Sequence, residues 1–199
     1  MFELICVTNR ALCTDSFPAR IRVLSQAGIH KIILREKDLA PKDYQALAMQ
    51  LFAICPEKLI PNSIFCPDIP RLHLPFPLLL QQPALRENVD LLGVSVHTPE
   101  EACHAWALGA DYLIAGHIFP TGCKPGVPAR GLDFLRDCCN AVDIPVYAIG
   151  GICADNLAAV QQAGAAGACL MSRFMQCDDI SEELNRLRHA IKKYVFDSK

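Results

Sequence analysis

The chain has 199 residues and a formal net charge of −2, and 52% of its residues are hydrophobic. This length suits one domain with a sizeable core, so we expect a single domain over residues 1–199. The near-neutral charge argues against nucleic-acid binding, and no apolar run approaches the roughly 18 residues that cross a membrane. Residues 1–8 read as a first strand rather than a signal peptide, so we expect a cytoplasmic protein.

Short apolar runs alternate with helical stretches along the chain. Predicted strands cover residues 4–7, 31–34, 58–60, 71–74, 91–96, 111–115, 145–149 and 167–171. Predicted helices lie at about residues 17–27, 42–54, 77–88, 99–108, 132–140, 156–163 and 181–196. The strand segments are apolar almost throughout, which is typical of parallel strands covered on both faces.

Eight strands joined by helices predict a (β/α)8 TIM barrel near the lower limit of its usual size. The third strand–helix unit is shortened, because prolines between residues 62 and 71 leave no room for a full helix. An open doubly wound sheet is the alternative. We favour the barrel because its last two units carry a pattern suited to phosphate binding.

Eleven cysteines are spread singly through the chain, and none forms a CxxC pair. Because eleven is odd, complete pairing into intrachain disulfides is impossible. We therefore expect most of them to be small apolar core residues in a reducing compartment, and we expect no zinc site.

The ends of the seventh and eighth predicted strands indicate a phosphate site. Gly150 and Gly151 follow the seventh strand, and Met171 and Ser172 lie at the end of the eighth. Paired glycines allow backbone N–H groups to approach an oxyanion, and a serine that opens a short helix adds a hydroxyl. Barrels frequently bind phosphate at these two loops.

Polar residues also follow other strands, at the edge where barrel active sites are built. Arg35 and Lys37 follow the second strand and alternate with Glu36, so the two cations share one face and suit an anionic ligand. Asn62 follows the third strand and Ser95 lies on the fifth, and we include both in the predicted site.

His117 is the candidate for chemistry. It ends the sixth predicted strand, in a loop that also carries Thr121 and Lys124. An unperturbed imidazole can both give and take a proton near neutral pH, which suits a general acid or base. His73 lies among leucines on the fourth strand, so we interpret it as a core residue and leave it out of the catalytic set.

Several segments together resemble the thiamine phosphate synthase superfamily of small (β/α)8 barrels, over almost the whole chain. The matching segments are residues 34–37, 93–98, 109–112, 116–124 and 144–151. The synthases couple an aminopyrimidine pyrophosphate to a thiazole phosphate with Mg²⁺.

The sequence departs from the synthase branch at the metal site. The resemblance places magnesium ligands directly after Asn62 and shortly after His73-Leu74. Here Ser63 follows Asn62, and residues 75–80 contain no acid. Mg²⁺ prefers carboxylate and phosphate oxygens, so the metal site is missing its ligands and we expect no metal and no cofactor.

The segment Gly116-His117-Ile118-Phe119, followed by Cys123-Lys124, is instead similar to the thiazole tautomerase (TenI-like) branch. This resemblance implies that the protein converts a dearomatised carboxythiazole phosphate tautomer to aromatic 2-carboxythiazole phosphate. It implies His117 as the acid/base residue and Gly150, Gly151 and Ser172 as the phosphate site. The partner is then a phosphorylated thiazole, without nucleic acid or membrane.

Three alternatives remain open at this point. The first is a Mg²⁺-dependent thiamine phosphate synthase with a displaced metal site. The second is a non-catalytic regulatory barrel that binds thiazole or thiamine phosphate, and the third is a phosphate-handling barrel with another substrate. Barrels of this type are often dimeric, so a homodimer is a further expectation.

Overall fold

Eight parallel strands, alternating with helices, form the centre of the fold in the computed structural model, which describes residues 1–123 and 126–197. The strands are β1 (Glu3–Val7), β2 (Lys31–Leu34), β3 (Leu59–Pro61), β4 (Arg71–Pro75), β5 (Leu91–Val96), β6 (Tyr112–Gly116), β7 (Val146–Ile149) and β8 (Gly167–Leu170). The helices are α1 (Phe17–Gln26), α2 (Pro41–Phe52), α3 (Phe76–Gln81), α4 (Pro99–Ala107), α5 (Gly131–Asn140), α6 (Leu157–Gln162), α7 (Ser172–Gln176) and α8 (Ile180–Asp197).

The strands close into a barrel. Hydrogen-bonded neighbours run in the order β3-β2-β1-β8-β7-β6-β5-β4, and every pair is parallel. The remaining gap, between β3 and β4, is bridged where Asn62 pairs with His73 and the Ser63 N–H donates to the His73 carbonyl oxygen at 2.9 Å. The predicted (β/α)8 barrel is therefore confirmed, and the open sheet is excluded.

The shortened third unit is also confirmed. No helix lies between β3 and β4, although all of residues 62–70 are described. The helix predicted over residues 77–88 is wrong in its second half, because α3 ends at Gln81 and a 3₁₀ helix follows over Pro83–Asn88. Pro83 explains the break, since proline lacks the N–H that an α-helix needs and crowds the preceding turn.

Alternation along the strands separates two apolar layers. One set of side chains packs outward against the helices, and the other fills the barrel interior. The interior set comprises Ile5, Val7, Ile33, Ile60, Tyr112, Ile114, Tyr147 and Cys169. Because the inward positions recur every second residue, they also determine which side chains reach the C-terminal end of the barrel.

A polar cluster occupies the N-terminal end of the barrel interior. Lys31 pairs with the Glu3 carboxylate, and the Tyr147 hydroxyl donates to Glu3 Oε2 at 2.7 Å. Burial alone would raise the pKa of Glu3, but the bonds from Lys31 and Tyr147 outweigh it and hold that pKa below its usual value. The charges at this end are therefore satisfied within the protein.

All eleven cysteines are free, and five of them are buried. Burial raises the pKa of the Cys55 thiol to about 11 and that of Cys138 to about 12, so these side chains stay protonated and pack as apolar groups. Among the described residues, no group of three or more His, Cys, Asp and Glu side chains is placed to hold a metal ion. Within the same residues, no helix is long and apolar enough to cross a membrane.

Candidate active site

A cavity of about 560 Å³ opens at the C-terminal ends of the strands. Lys124 lies outside the described residues, and the other ten residues predicted for the site all line this cavity. They are Arg35, Lys37, Asn62, Ser95, His117, Thr121, Gly150, Gly151, Met171 and Ser172. Residues at the ends of six strands, or in the loops that follow them, are thus brought to one place.

His117 directly follows β6 and is only 4% exposed. Its Nε2 lies 3.2 Å from the carbonyl oxygen of Val127. Because a carbonyl only accepts, Nε2 carries the proton in this contact, and Nδ1 of the neutral ring is left as the proton acceptor. His117 also lines the cavity, so an imidazole with an unused ring nitrogen lies at its wall.

Hydrogen bonds from both sides hold the loop that carries His117. The Ile118 N–H donates to the Ile149 carbonyl oxygen at 2.9 Å, and the Phe119 N–H donates to that of Gly150 at 3.1 Å. On the other side, the Arg130 N–H donates to the His117 carbonyl oxygen at 3.0 Å. The histidine thus sits on a backbone that is tied to β7 and to the start of α5.

Gly150 and Gly151 have a reason to be glycine that does not depend on the predicted phosphate. Both have positive φ, +100° and +65°, which side-chain-bearing residues rarely adopt. A Cβ at Gly150 would lie 2.3 Å from the His117 Cβ, and one at Gly151 would lie 2.5 Å from the Pro120 carbonyl oxygen. The two glycines let the loop after β7 pack directly against the loop after β6.

The cavity is lined by cations and by no carboxylate among the described residues. Arg35, Lys37 and Arg173 line it, and Arg173 is paired with Glu183 at 3.2 Å. Glu36 turns to the opposite side, as the alternation predicts, where it accepts from the Thr8 hydroxyl at 2.6 Å and from the Arg10 N–H at 3.0 Å. A chain with net charge −2 therefore concentrates positive charge here, which favours an anionic ligand.

His73 lies on the cavity floor as a buried, neutral residue. Its Nε2 is 2.7 Å from the Ser95 Oγ, and its Nδ1 is 3.2 Å from the Tyr112 hydroxyl. Burial lowers the pKa of His73 to about 3, because the charged imidazolium loses its hydration inside the barrel. Both ring nitrogens have partners, as expected of a core histidine, although one edge of the ring also lines the cavity.

We predict a stability change with pH that depends on His73. Its pKa is lowered in the folded state, so between about pH 6.5 and pH 3 the unfolded chain binds one proton more than the folded chain. The free energy of unfolding should therefore fall as pH drops through this window, by up to about 1.4 kcal/mol per pH unit from this group. Urea denaturation at several pH values should show a shallower dependence for His73→Gln than for the parent, and equal slopes would contradict the prediction.

Several cavity residues were not predicted. Arg173 directly follows Ser172, which was predicted to bind phosphate, and this position could have indicated that Arg173 lines the cavity. Cys169 lies two residues before Met171, so strand alternation places it inward as well. Ser63 and His97 also line the cavity, and the His97 Nδ1 donates to the Gly116 carbonyl oxygen at 2.8 Å.

Comparison with known proteins identifies the family. The "thiamine-phosphate synthase 2" of Streptococcus pneumoniae serotype 4 is 33% identical over 189 residues, which cover 89% of this chain and 90% of that protein. A family model described as thiamine monophosphate synthase matches residues 79–174. The chain belongs to the thiamine monophosphate synthase family. Another relative, the thiamine-phosphate synthase of Syntrophomonas wolfei, is 32% identical over 94% of this chain and 95% of its own length.

Solved structures agree with this membership of the thiamine monophosphate synthase family. A thiamine phosphate pyrophosphorylase from Pyrococcus furiosus superposes with a TM-score of 0.81 at 26% identity, covering 98% of this chain and 97% of that one. A (S)-3-O-geranylgeranylglyceryl phosphate synthase from Thermoplasma acidophilum, solved with sn-glycerol-1-phosphate, gives a TM-score of 0.71 at 14% identity over 96% of this chain and 93% of that one. This second likeness shows the shared barrel fold alone.

Proposed function

We propose that this member of the family is a thiazole tautomerase. The observation that carries the proposal is the composition of the cavity: it holds two buried histidines, His73 and His117, and three cations, but no carboxylate among the described residues. Such a site can bind an anion and move a proton. Its substrate would be the dearomatised carboxythiazole phosphate tautomer, and its product the aromatic 2-carboxythiazole phosphate.

Each part of the substrate has a matching group. Gly150, Gly151 and Ser172 are proposed to bind the phosphate, and Arg35 with Lys37 to face the carboxylate. This arrangement would place the ring between the two anionic ends, beside His117. Fixing the ring next to a proton-transfer group is the main catalytic requirement, since aromatisation itself drives the reaction.

One proton-transfer group is sufficient to balance the reaction. His117 would take a proton from one carbon of the dearomatised system and return a proton to another carbon, so the histidine is regenerated in each turnover. The carbon–hydrogen bond that breaks and the one that forms leave the substrate's composition unchanged. The cations around the cavity would stabilise the negative charge that grows while the proton is on the histidine.

The second candidate is a thiamine phosphate synthase, and the names of the relatives favour it. That reaction calls for Mg²⁺, which binds hard oxygen ligands, chiefly carboxylates. The lining near Asn62 and His73 offers an amide, the Ser63 hydroxyl and imidazole nitrogens, and Glu36 is turned away towards Thr8 and Arg10. The described residues do not fit the metal, so we derive no step through it.

Two assays run in parallel separate the candidates. In the first, the dearomatised tautomer is added to the protein and formation of the aromatic product is followed by its ultraviolet absorbance. In the second, the protein is given Mg²⁺, aminopyrimidine pyrophosphate and thiazole phosphate, and thiamine phosphate is measured. Turnover in the first assay alone supports the tautomerase, and thiamine phosphate formation overturns it. Product binding without turnover in either assay would favour the regulatory barrel.

Metal removal gives a further prediction. Tautomerase turnover should be the same, within about twofold, in excess EDTA and in millimolar Mg²⁺, because the described cavity residues include no carboxylate for the ion. The steady-state rate with and without chelator is the measurement. A large loss of rate in EDTA that Mg²⁺ restores would contradict the proposed mechanism.

A further inference from the structure

A chain of three hydrogen-bonding side chains runs from the barrel interior to the cavity. The Tyr112 hydroxyl is 3.2 Å from the His73 Nδ1, and the His73 Nε2 is 2.7 Å from the Ser95 Oγ. Tyr112 and His73 are 2% exposed, and only His73 and Ser95 line the cavity. Tyr112 does not line the cavity itself, and its hydroxyl is linked to the cavity by its hydrogen bond to His73.

The strand register creates this chain. Tyr112, His73 and Ser95 occupy inward positions on β6, β4 and β5, and residue 93 of β5 pairs with both His73 and Tyr112. That residue is glycine, and a Cβ there would lie 2.0 Å from Cζ of the Tyr112 ring. Gly93 thus opens the space that lets the tyrosine reach the histidine.

The direction of each proton follows from the partners. A buried O–H must donate to an acceptor, and His73 Nδ1 is the one hydrogen-bond partner of the Tyr112 hydroxyl in the part of the chain that the structure describes. Nδ1 is then unprotonated, so the neutral ring carries its proton on Nε2 and donates it to the Ser95 Oγ. Burial lowers the pKa of His73 to about 3, which keeps the ring neutral at cellular pH.

If the hydrogen bonds ran in the opposite direction, one buried donor would lack an acceptor. If Ser95 donated to Nε2, the His73 proton would sit on Nδ1 and point at the tyrosine oxygen. The Tyr112 O–H would then have no acceptor among the described residues, inside a fully buried pocket. An unmade hydrogen bond of this kind is costly, so the first direction is favoured.

We propose that Tyr112 and His73 are positioning residues that fix the Ser95 hydroxyl as a hydrogen-bond donor into the cavity. Ser95 accepts from His73, so its own proton is free to point at a ligand. The group that it meets must be an acceptor, such as the ring nitrogen or a carboxylate oxygen of the substrate. This inference rests on the proposed function for the identity of that ligand.

The consequence for catalysis is electrostatic. When the proton leaves the carbon, negative charge spreads onto the conjugated nitrogen and carboxylate oxygens. A donor that is already aimed at one of these atoms stabilises the transition state without reorganising during the reaction. A Ser95 hydroxyl that could rotate away would lose that advantage. We call the hydrogen-bonded side chains of Tyr112, His73 and Ser95 the relay. The relay therefore affects kcat rather than substrate affinity.

The first test reads the His73 tautomer in the ligand-free protein, independently of any activity. Nitrogen-15 NMR distinguishes protonated from unprotonated imidazole nitrogens, and His73→Gln identifies the resonances. We expect an unprotonated Nδ1 in the parent, and in Tyr112→Phe a change of tautomer or a mixture of the two. Tyr147→Phe is the matched control: it removes another interior hydroxyl, which bonds to Glu3 rather than to His73, and should leave the tautomer unchanged. A protonated Nδ1 in the parent would overturn the proposal.

The second test is a double-mutant cycle on tautomerase turnover. Ser95→Ala should lower kcat by about 10²-fold, the usual loss for one preorganised donor. Tyr112→Phe should lower kcat by about tenfold or more with little change in KM, although it does not touch the cavity. In the Ser95→Ala background, Tyr112→Phe should have almost no further effect. Equal effects of Tyr112→Phe in both backgrounds would show a general packing role and overturn the relay.

The two tests separate this inference from the proposed function. If the parent protein lacks tautomerase activity, the proposed function fails, yet the NMR measurement still confirms or refutes the relay. If the parent is active but Tyr112→Phe behaves like Tyr147→Phe in both measurements, the relay fails and the proposed function stands.

Discussion

Replacement of His117 by alanine is expected to lower kcat for tautomerisation by about 10²–10⁴-fold, the range that a general acid or base contributes. The histidine is buried at the cavity wall, and its Nε2 is held by the Val127 carbonyl oxygen. Steady-state kinetics with the dearomatised tautomer give the measurement.

The same variant should keep its binding of the product. The proposed phosphate site at Gly150, Gly151 and Ser172 does not depend on the imidazole, so calorimetry should give a dissociation constant within about threefold of the parent value. Near-normal turnover in His117→Ala would refute the mechanism. If the variant lost both product binding and turnover, the substitution would have disrupted the cavity as a whole.

Substitution of Gly150 by alanine has the second-largest expected effect. The residue has φ +100°, and the added Cβ would lie 2.3 Å from Cβ and 2.9 Å from Cα of His117. The loop after β6 must move, and catalysis tolerates displacements of this size poorly, so kcat should fall by about 10²-fold. The free energy of unfolding should fall by about 1–3 kcal/mol, as overpacking typically costs, which urea denaturation measures.

Gly109→Ala is the matched control for backbone strain. Gly109 also has positive φ, +88°, but it does not line the cavity, and a Cβ built there would lie 3.2 Å from Nε of the flexible Arg86 side chain. Its substitution therefore carries the conformational penalty without the collision with His117. If both variants lose activity equally, the contact between Gly150 and His117 is not what positions the histidine.

The inward side chains of the barrel could be predicted from strand alternation alone. Arg35 and Lys37 line the cavity while Glu36 bonds to Thr8 on the other side, as a period of two requires. The same rule would have added Cys169, two residues before Met171. In a barrel, the C-terminal ends of the strands all meet at the same cavity. The residues at each strand end were therefore sufficient to predict most of the residues that line it.

Features that depend on contacts distant in sequence could not be predicted. The barrel closes through the pairing of Asn62 with His73, across a connection that has no helix. The bond from His117 to Val127 joins two residues that are ten positions apart, and no sequence pattern indicates it. The role of Gly150 is of the same kind: a tight turn and a close approach to His117 both require glycine, and only the packed structure separates them.

The sequence shows that no acid directly follows Asn62 and that residues 75–80 contain none, but only the fold shows whether another residue replaces these ligands. A carboxylate from another strand could have replaced the missing ligands. In the barrel, the described residues around the cavity include none, and the nearby Glu36 is engaged by Thr8 and Arg10. The relatives' names and the composition of this cavity therefore point to different reactions, and the cavity decides our proposal.

A crystal structure with bound 2-carboxythiazole phosphate tests the central claim most directly, because it locates both ends of the ligand at once. We expect the phosphate at Gly150, Gly151 and Ser172, and a nitrogen of His117 within hydrogen-bond distance of the ring or of a reacting carbon's proton. A phosphate bound elsewhere in the cavity, or a ring out of reach of His117, would contradict the assignment of this cavity as a proton-transfer site.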